Sequence, residues 1–136
     1  MKKVLYAGSF YPFTDGHKAV VERALKVFGK VVIAVMVNSD KFIPESTEER
    51  AEAVKKLYAG NPDVEVVWDN GYTADLARKL GADYLVRGVR DAFDFGYETK
   101  IAAFNFQRTG INTFYFLADE KHKNVSSTKV RQRSCT

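Results

Sequence analysis

Hydrophobic residues in this chain gather into short runs, separated by longer segments in which they recur every three or four positions. The runs at 3–7, 31–37, 64–68, 84–86 and 113–117 are rich in β-branched and aromatic residues. Such runs predict short strands covered on both faces, as in a parallel sheet. Segments 17–28, 48–59, 74–80 and about 95–108 carry the helical period, and a last helix is predicted to start near Ser127. Ser46-Thr47-Glu48-Glu49 reads as a capping box with Ser46 as N-cap. Thr73 is placed to cap the third helix and Gly81 to end it. Gly60-Asn61-Pro62-Asp63 marks a turn.

Strand–helix alternation predicts an α/β fold, a Rossmann-like doubly wound parallel sheet of five strands. Crossovers between parallel strands are right-handed. No repeat, linker or low-complexity segment interrupts the pattern, so residues 1–136 read as a single domain. In such sheets ligands bind beyond the carboxyl ends of the strands, where the strand order reverses. The residues with chemical potential do follow strands: 8–17 after the first, 38–41 after the second, 87–90 after the fourth and 118–126 after the fifth.

Composition narrows this without redirecting it. The chain has 136 residues, 46% hydrophobic and 28% charged, which suits one globular domain. No apolar run approaches the roughly 20 residues that cross a membrane, and no signal-peptide pattern is present. The one cysteine, Cys135, cannot form an internal disulfide. Together these features predict a cytoplasmic protein. A net charge of +4 is too small by itself to imply nucleic-acid binding. Lys121, Lys123, Lys129, Arg131 and Arg133 nevertheless crowd the end of the chain. They form either a solvated tail or a cationic wall facing a polyphosphate.

The strongest chemical signal is the first turn, Gly8-Ser9-Phe10-Tyr11-Pro12-Phe13-Thr14-Asp15-Gly16-His17. A glycine-rich link from strand to helix turns backbone N–H groups toward an anion, and the helix start adds roughly half a positive charge. His17 then falls in the first helical turn, where its ring can meet a phosphate and a neighbouring charge sets its protonation. Arg87 and Arg90 flank Gly88, which permits close backbone approach. Their guanidinium forks suit phosphate or carboxylate, or else they pair on the surface with Asp91 and Asp94. Lys41 is either a phosphate contact or a solvated lysine. Successive hydroxyls in Val125-Ser126-Ser127-Thr128 offer donors at a helix start, or an ordinary cap. On local evidence Glu98 reads as a solvated helix carboxylate. Phe93, Phe95, Tyr97, Phe104 and Phe106 are assigned to core and subunit packing rather than to base stacking. The chain has no zinc-site spacing, Walker-type loop, G-x-G-x-x-G or nucleophile elbow.

Together, the first turn and Val125-Ser126-Ser127-Thr128-Lys129-Val130-Arg131 resemble the two signatures of the HIGH-type nucleotidyltransferases. Arg87-Gly88-Val89-Arg90 followed by Asp94-Phe95 and Tyr97-Glu98 resembles a block of the phosphopantetheine adenylyltransferase family within it, and the spacing from Lys41 to Glu48-Glu49-Arg50 fits as well. The resemblance implies transfer of the adenylyl group of ATP to 4′-phosphopantetheine, giving dephospho-coenzyme A and pyrophosphate without a covalent enzyme intermediate. It implies Mg²⁺ bound mainly through ATP phosphates, with no protein metal site. His17, Lys41 and Arg90 take catalytic positions by this likeness. Ser9, Lys41, Thr73 and Arg87 fall at acceptor contacts. Ser9, Phe10, His17, Gly88, Val89, Arg90 and Glu98 fall at ATP contacts, as do Asn124, Val125, Ser126, Ser127 and Thr128. A homo-oligomer, usually a hexamer, is implied, with no nucleic-acid or membrane partner.

The chain departs from the family pattern in places. Tyr11 stands where the family usually has Asp, and Lys121-His122-Lys123 replaces a more aromatic stretch. The chain also ends soon after Arg131, so a covering C-terminal helix is expected to be missing or reduced. Two other functions use the same residues. One is a related nucleotidyltransferase with another phosphorylated acceptor, such as glycerol phosphate with CTP, against which the Arg87–Glu98 block argues. The other is a non-catalytic nucleotide-binding protein, suggested by Tyr11 and the early end.

Overall fold

A computed structural model describes residues 2–37 and 42–117. Strands and helices alternate as β1 (Lys3–Gly8), α1 (Asp15–Phe28), β2 (Lys30–Met36), α2 (Thr47–Leu57), β3 (Val64–Asp69), α3 (Thr73–Leu80), β4 (Tyr84–Val89), α4 (Ala92–Thr109) and β5 (Asn112–Leu117). The five strands form one sheet in the order β3-β2-β1-β4-β5, and every pairing is parallel. The order reverses between β1 and β4. The expected α/β architecture is therefore present, and the switch point lies where the first turn and the Arg87 segment meet.

Side chains on β1 alternate between two cores, as the strand period requires. Val4 and Tyr6 join Val20, Val21 and Ala24 of α1 and Ala51 and Val54 of α2 on one face. Leu5 and Ala7 join Leu76 and Ala77 of α3 on the other. Coverage on both faces holds for β1 and β2. It fails for β3 and β5, whose residues alternate between partly buried and exposed because they lie at the sheet edges.

Several local expectations need correction. Strand β4 runs on to Val89, so Arg87 and Gly88 lie inside it rather than after it. Thr73 is the first residue of α3. The N-cap is Tyr72, which makes no side-chain capping bond. Gly81 does end α3, in the left-handed conformation at φ 68°. The Ser46 hydroxyl accepts from the Glu49 N–H at 3.0 Å, as a cap should. The α4 aromatics do not belong to the core. Phe93 is 90% exposed and Tyr97 58%, while the buried residues of α4 are the polar Glu98 and Asn105. The Glu98 carbonyl meets the Tyr115 hydroxyl of β5 and the Phe95 ring packs edge-on against the Tyr115 ring, while Phe93 and Tyr97 face outward. The last predicted helix lies outside the described residues.

Gly88 has a packing reason for being glycine. A Cβ there would stand 2.8 Å from Cγ2 of Val20 on α1. Valine is stiff at χ1 and cannot swing away cheaply. Gly88→Ala should therefore lower stability by about 1–3 kcal/mol, with part recovered when Val20→Ala is added. Urea unfolding of the two variants checks this, and an alanine variant as stable as the parent would contradict the contact.

Candidate active site

The site begins where the β1–β4 ladder stops. Pairing with β2 continues to Gly8 and Val35, whereas pairing with β4 ends at Tyr6 and Val86. Past that point a side chain takes over: Nη1 of Arg87 donates to the Ala7 carbonyl. From the other side Nη1 of Arg50, on α2, donates to the Ser9 carbonyl and to the Met36 carbonyl at 3.2 Å. Two guanidinium groups thus hold the end of β1, at the strand-order reversal where doubly wound sheets bind ligands.

The turn that follows is tightly specified. Phe10 sits at φ 47°, a left-handed conformation that is uncommon for a side-chain-bearing residue and costs roughly 1–2 kcal/mol. Its ring is buried against Tyr6 at 5.2 Å and Phe13 at 5.1 Å between centroids, which offsets that cost. A Cβ on Gly8 would come within 3.0 Å of the same ring, so only glycine leaves it room. The Tyr11–Pro12 peptide is cis.

Thr14 then caps α1 by a reciprocal box in which histidine takes the part usually played by glutamate. The His17 N–H donates to Thr14 Oγ1 at 3.3 Å, and the Thr14 N–H donates to His17 Nδ1 at 2.9 Å. A backbone N–H can only donate, so Nδ1 is the acceptor and the neutral ring carries its proton on Nε2. Phe10 and Phe13 flank the imidazole at 5.1 and 5.3 Å. The fold therefore fixes both the position and the tautomer of this ring.

On the β4 side, Arg87 is paired with Glu98 rather than with Asp91 or Asp94. Nε and Nη2 reach Oε1 and Oε2, each at 2.8 Å, in a planar two-point bridge. Glu98 is buried, contrary to its reading as a solvated carboxylate, and its carbonyl accepts from the Tyr115 hydroxyl at 2.8 Å. Burial works to lower the pKa of Arg87, but the Glu98 hydrogen bond and charge outweigh it, and the net direction is upward. Arg90 does approach Asp94. Its N–H donates to Oδ2 at 3.0 Å, while its Nε stays 3.9 Å from that oxygen and its side chain 42% exposed. Val89 is buried at the end of β4.

The structure thus brings Ser9, Phe10, His17, Arg87, Gly88, Val89, Arg90 and Glu98 around one strand-order reversal. Thr73 follows β3, two strands along from β1. Lys41 and residues 124–128 lie outside the described residues. Among the described residues no group of three His, Cys, Asp or Glu side chains could hold a metal ion. No helix among them is long and apolar enough to cross a membrane. Two contributors, Thr14 and Arg50, stand within the quoted motifs but receive no role from the sequence. Thr14 carries a findable signal, a threonine three positions before His17. Arg50 carries another: it is a charge in phase with the buried stripe Thr47, Ala51 and Val54.

Comparison with known proteins agrees with this geometry. A cytidylyltransferase-like family model matches residues 5–133. The phosphopantetheine adenylyltransferase of Porphyromonas gingivalis is 42% identical over 134 residues, covering 97% of this chain and 88% of that one. The chain belongs to the phosphopantetheine adenylyltransferase family. The enzyme of that name from Limosilactobacillus fermentum is 41% identical over 133 residues, covering 97% of this chain and 77% of the relative. A lipopolysaccharide core biosynthesis protein from Thermoplasma volcanium shares the fold, with a TM-score of 0.62 at 17% identity over 88% of this chain and 97% of that one. Family membership bears out the resemblance carried by the first turn and the Arg87–Glu98 block.

In this family member the Arg87–Glu98 pair closes the β4 side of the crevice. Glu98→Gln would leave Arg87 without its counter-charge. Arg87 keeps 34% of its side chain exposed, so the loss should be about 1–3 kcal/mol rather than the roughly 3–5 of a fully buried pair. Chemical unfolding measures it, and a variant as stable as the parent would show that the bridge contributes nothing to the fold.

Proposed function

We propose that this chain transfers the adenylyl group of ATP to the phosphate of 4′-phosphopantetheine, giving dephospho-coenzyme A and pyrophosphate. The observation that carries the proposal is the 42% identity, across 97% of the chain, to a relative named for that activity. The geometry suits the chemistry. An oxygen of the acceptor phosphate attacks the α-phosphorus of ATP, the bond to the pyrophosphate oxygen breaks, and pyrophosphate leaves. Such a transfer needs positioning and charge stabilisation more than a protein nucleophile.

Within this proposal, Nε2–H of His17 and the start of α1 stabilise the charge that develops on the α-phosphate oxygens. Ser9 and Phe10 form the phosphate turn. Gly88, Val89 and Arg90 border the nucleotide, and residues 124–128 are assigned to nucleotide binding by likeness to the family. Glu98 acts by holding Arg87. Arginine has five N–H donors; two of Arg87's meet Glu98 and one meets Ala7, which leaves two for the acceptor phosphate. Lys41 and Thr73 serve the same acceptor. Mg²⁺ would come in with ATP as part of the substrate, without a protein metal site, and would supply charge neutralisation there. The exposed α4 rings of Phe93, Phe95, Tyr97, Phe104 and Phe106 support packing between copies in a homo-oligomer, a hexamer by likeness to the family. The reaction belongs to the cytoplasm.

Pyrophosphate release should require ATP, Mg²⁺ and phosphopantetheine together. His17→Ala should lower turnover on the order of 10² or more while ATP still binds by calorimetry. Turnover only with a different phosphorylated acceptor would overturn the substrate assignment, and unchanged turnover in the variant would remove His17 from the chemistry.

A further inference from the structure

Arg50 is 4% exposed, yet its bonding partners are all neutral. Nη1 donates to the carbonyls of Ser9 and Met36, and Nη2 donates to Thr47 Oγ1 at 3.4 Å. Its Nε is buried with no partner among the described residues. No carboxylate among them forms an ion pair with it, in contrast to Arg87. An isolated buried charge is costly, and a protein ordinarily pairs it or neutralises it. Burial does pull the Arg50 pKa below its ordinary value, with the Glu45 charge opposing. A guanidinium still remains protonated near neutral pH. The cation therefore persists at the carboxyl ends of β1 and β2 with no described carboxylate in ion-pair contact, and Glu45 acts on it only from beyond that distance.

Its bonds also have a geometric consequence. A trans peptide plane sets its C=O and the following N–H in opposite directions. When Arg50 draws the Ser9 carbonyl toward itself, the Phe10 N–H must point away from it. That N–H has no acceptor among the described residues. It belongs to the residue held at φ 47°, a conformation that persists only where its surroundings fix it. The relay reaches further. The Thr47 hydroxyl that accepts from Arg50 donates to Asn70 Oδ1 at 2.9 Å, just beyond β3 and three residues before Thr73. Arg50 thereby joins the phosphate turn after β1 to the loop that leads into α3.

We infer that Arg50 is a positioning residue for adenylyl transfer: it orients the Ser9–Phe10 peptide and supplies a fixed positive charge whose partner is the polyphosphate itself. This rests on assigning the first turn to the ATP phosphates. Arg50 touches no reacting atom. It acts through the peptide it holds and through its field, which is undiluted where water is excluded.

The test compares Arg50→Met and Arg50→Lys with the parent chain, by calorimetry with pyrophosphate, ATP and adenosine, alongside thermal melting. Methionine removes both charge and bonds. Lysine keeps the charge but lacks the planar fork that reaches the two carbonyls from Nη1 and the Thr47 hydroxyl from Nη2. Pyrophosphate and ATP should bind about tenfold or more weakly in the methionine variant, with adenosine unchanged. The lysine variant should show a smaller loss in pyrophosphate affinity and a clear fall in kcat/KM for ATP. Parental pyrophosphate affinity in a folded Arg50→Met overturns the inference. If that variant does not fold, parental pyrophosphate affinity and kcat/KM in Arg50→Lys overturn it. Weakening of adenosine to the same degree also overturns it, because a merely structural role would act that way. Failure of the parent chain itself to bind pyrophosphate would instead refute the assignment of the turn.

Discussion

The end of β1 is held between two arginines, and the rest of the site depends on that grip. Arg87 takes the Ala7 carbonyl from the β4 side and Arg50 takes the Ser9 carbonyl from the α2 side. Between them the backbone leaves the sheet, turns through Gly8 and Phe10, and enters α1 at Thr14. Backbone pairing with β2 runs on to Gly8, but on the β4 side the ladder has already ended at Tyr6, and beyond Gly8 neither neighbour pairs with the chain. Side chains from both flanks hold it instead. A strand-order reversal leaves a crevice at the carboxyl ends, and here the two walls of that crevice are also its clamps.

Phe10, Glu98 and His17 each give up a local preference, and the surrounding fold compensates. Phe10 is left-handed but buries its ring among Tyr6 and Phe13. Glu98 is buried but places both oxygens on Arg87. His17 gives up its Nδ1 to a helix cap, and that bond decides which nitrogen carries the proton. Such departures from local preference gather at functional sites, because charge and strain held in place before the substrate arrives need no rearrangement during reaction. The two arginines divide this labour. Arg87 is paired with Glu98 at 2.8 Å, whereas Arg50 has no described carboxylate in ion-pair contact.

Much of this was legible in the sequence, for identifiable reasons. The central strands are continuous apolar runs, so β1 and β2 stood out, and the glycine-rich turn marked the ligand end of β1. Strand β4 was read too short because Arg87 and Gly88 look like loop residues. Within the sheet one is consumed by an ion pair and the other makes room for Val20. The aromatic residues of α4 look like core, but the positions the helix buries are Glu98 and Asn105, and the rings stay partly or largely exposed. No local pattern joins Arg87 to Glu98 or Arg50 to Ser9, since these contacts form only once β4 and α2 are placed beside β1. The family resemblance points to the strand ends, and the described candidate residues gather there. It could not reveal which side chains hold substrate and which hold the others in place.

The most direct test is ¹⁵N NMR of the His17 imidazole, read through long-range ring couplings, in the free chain and with ATP. The expected result is a neutral ring with Nδ1 unprotonated and accepting from Thr14, its proton on Nε2, and an Nε2 resonance that moves when ATP binds. A ring protonated on Nδ1 in its neutral form, or one whose nitrogens do not respond to ATP, would contradict the capped histidine as the group that faces the α-phosphate.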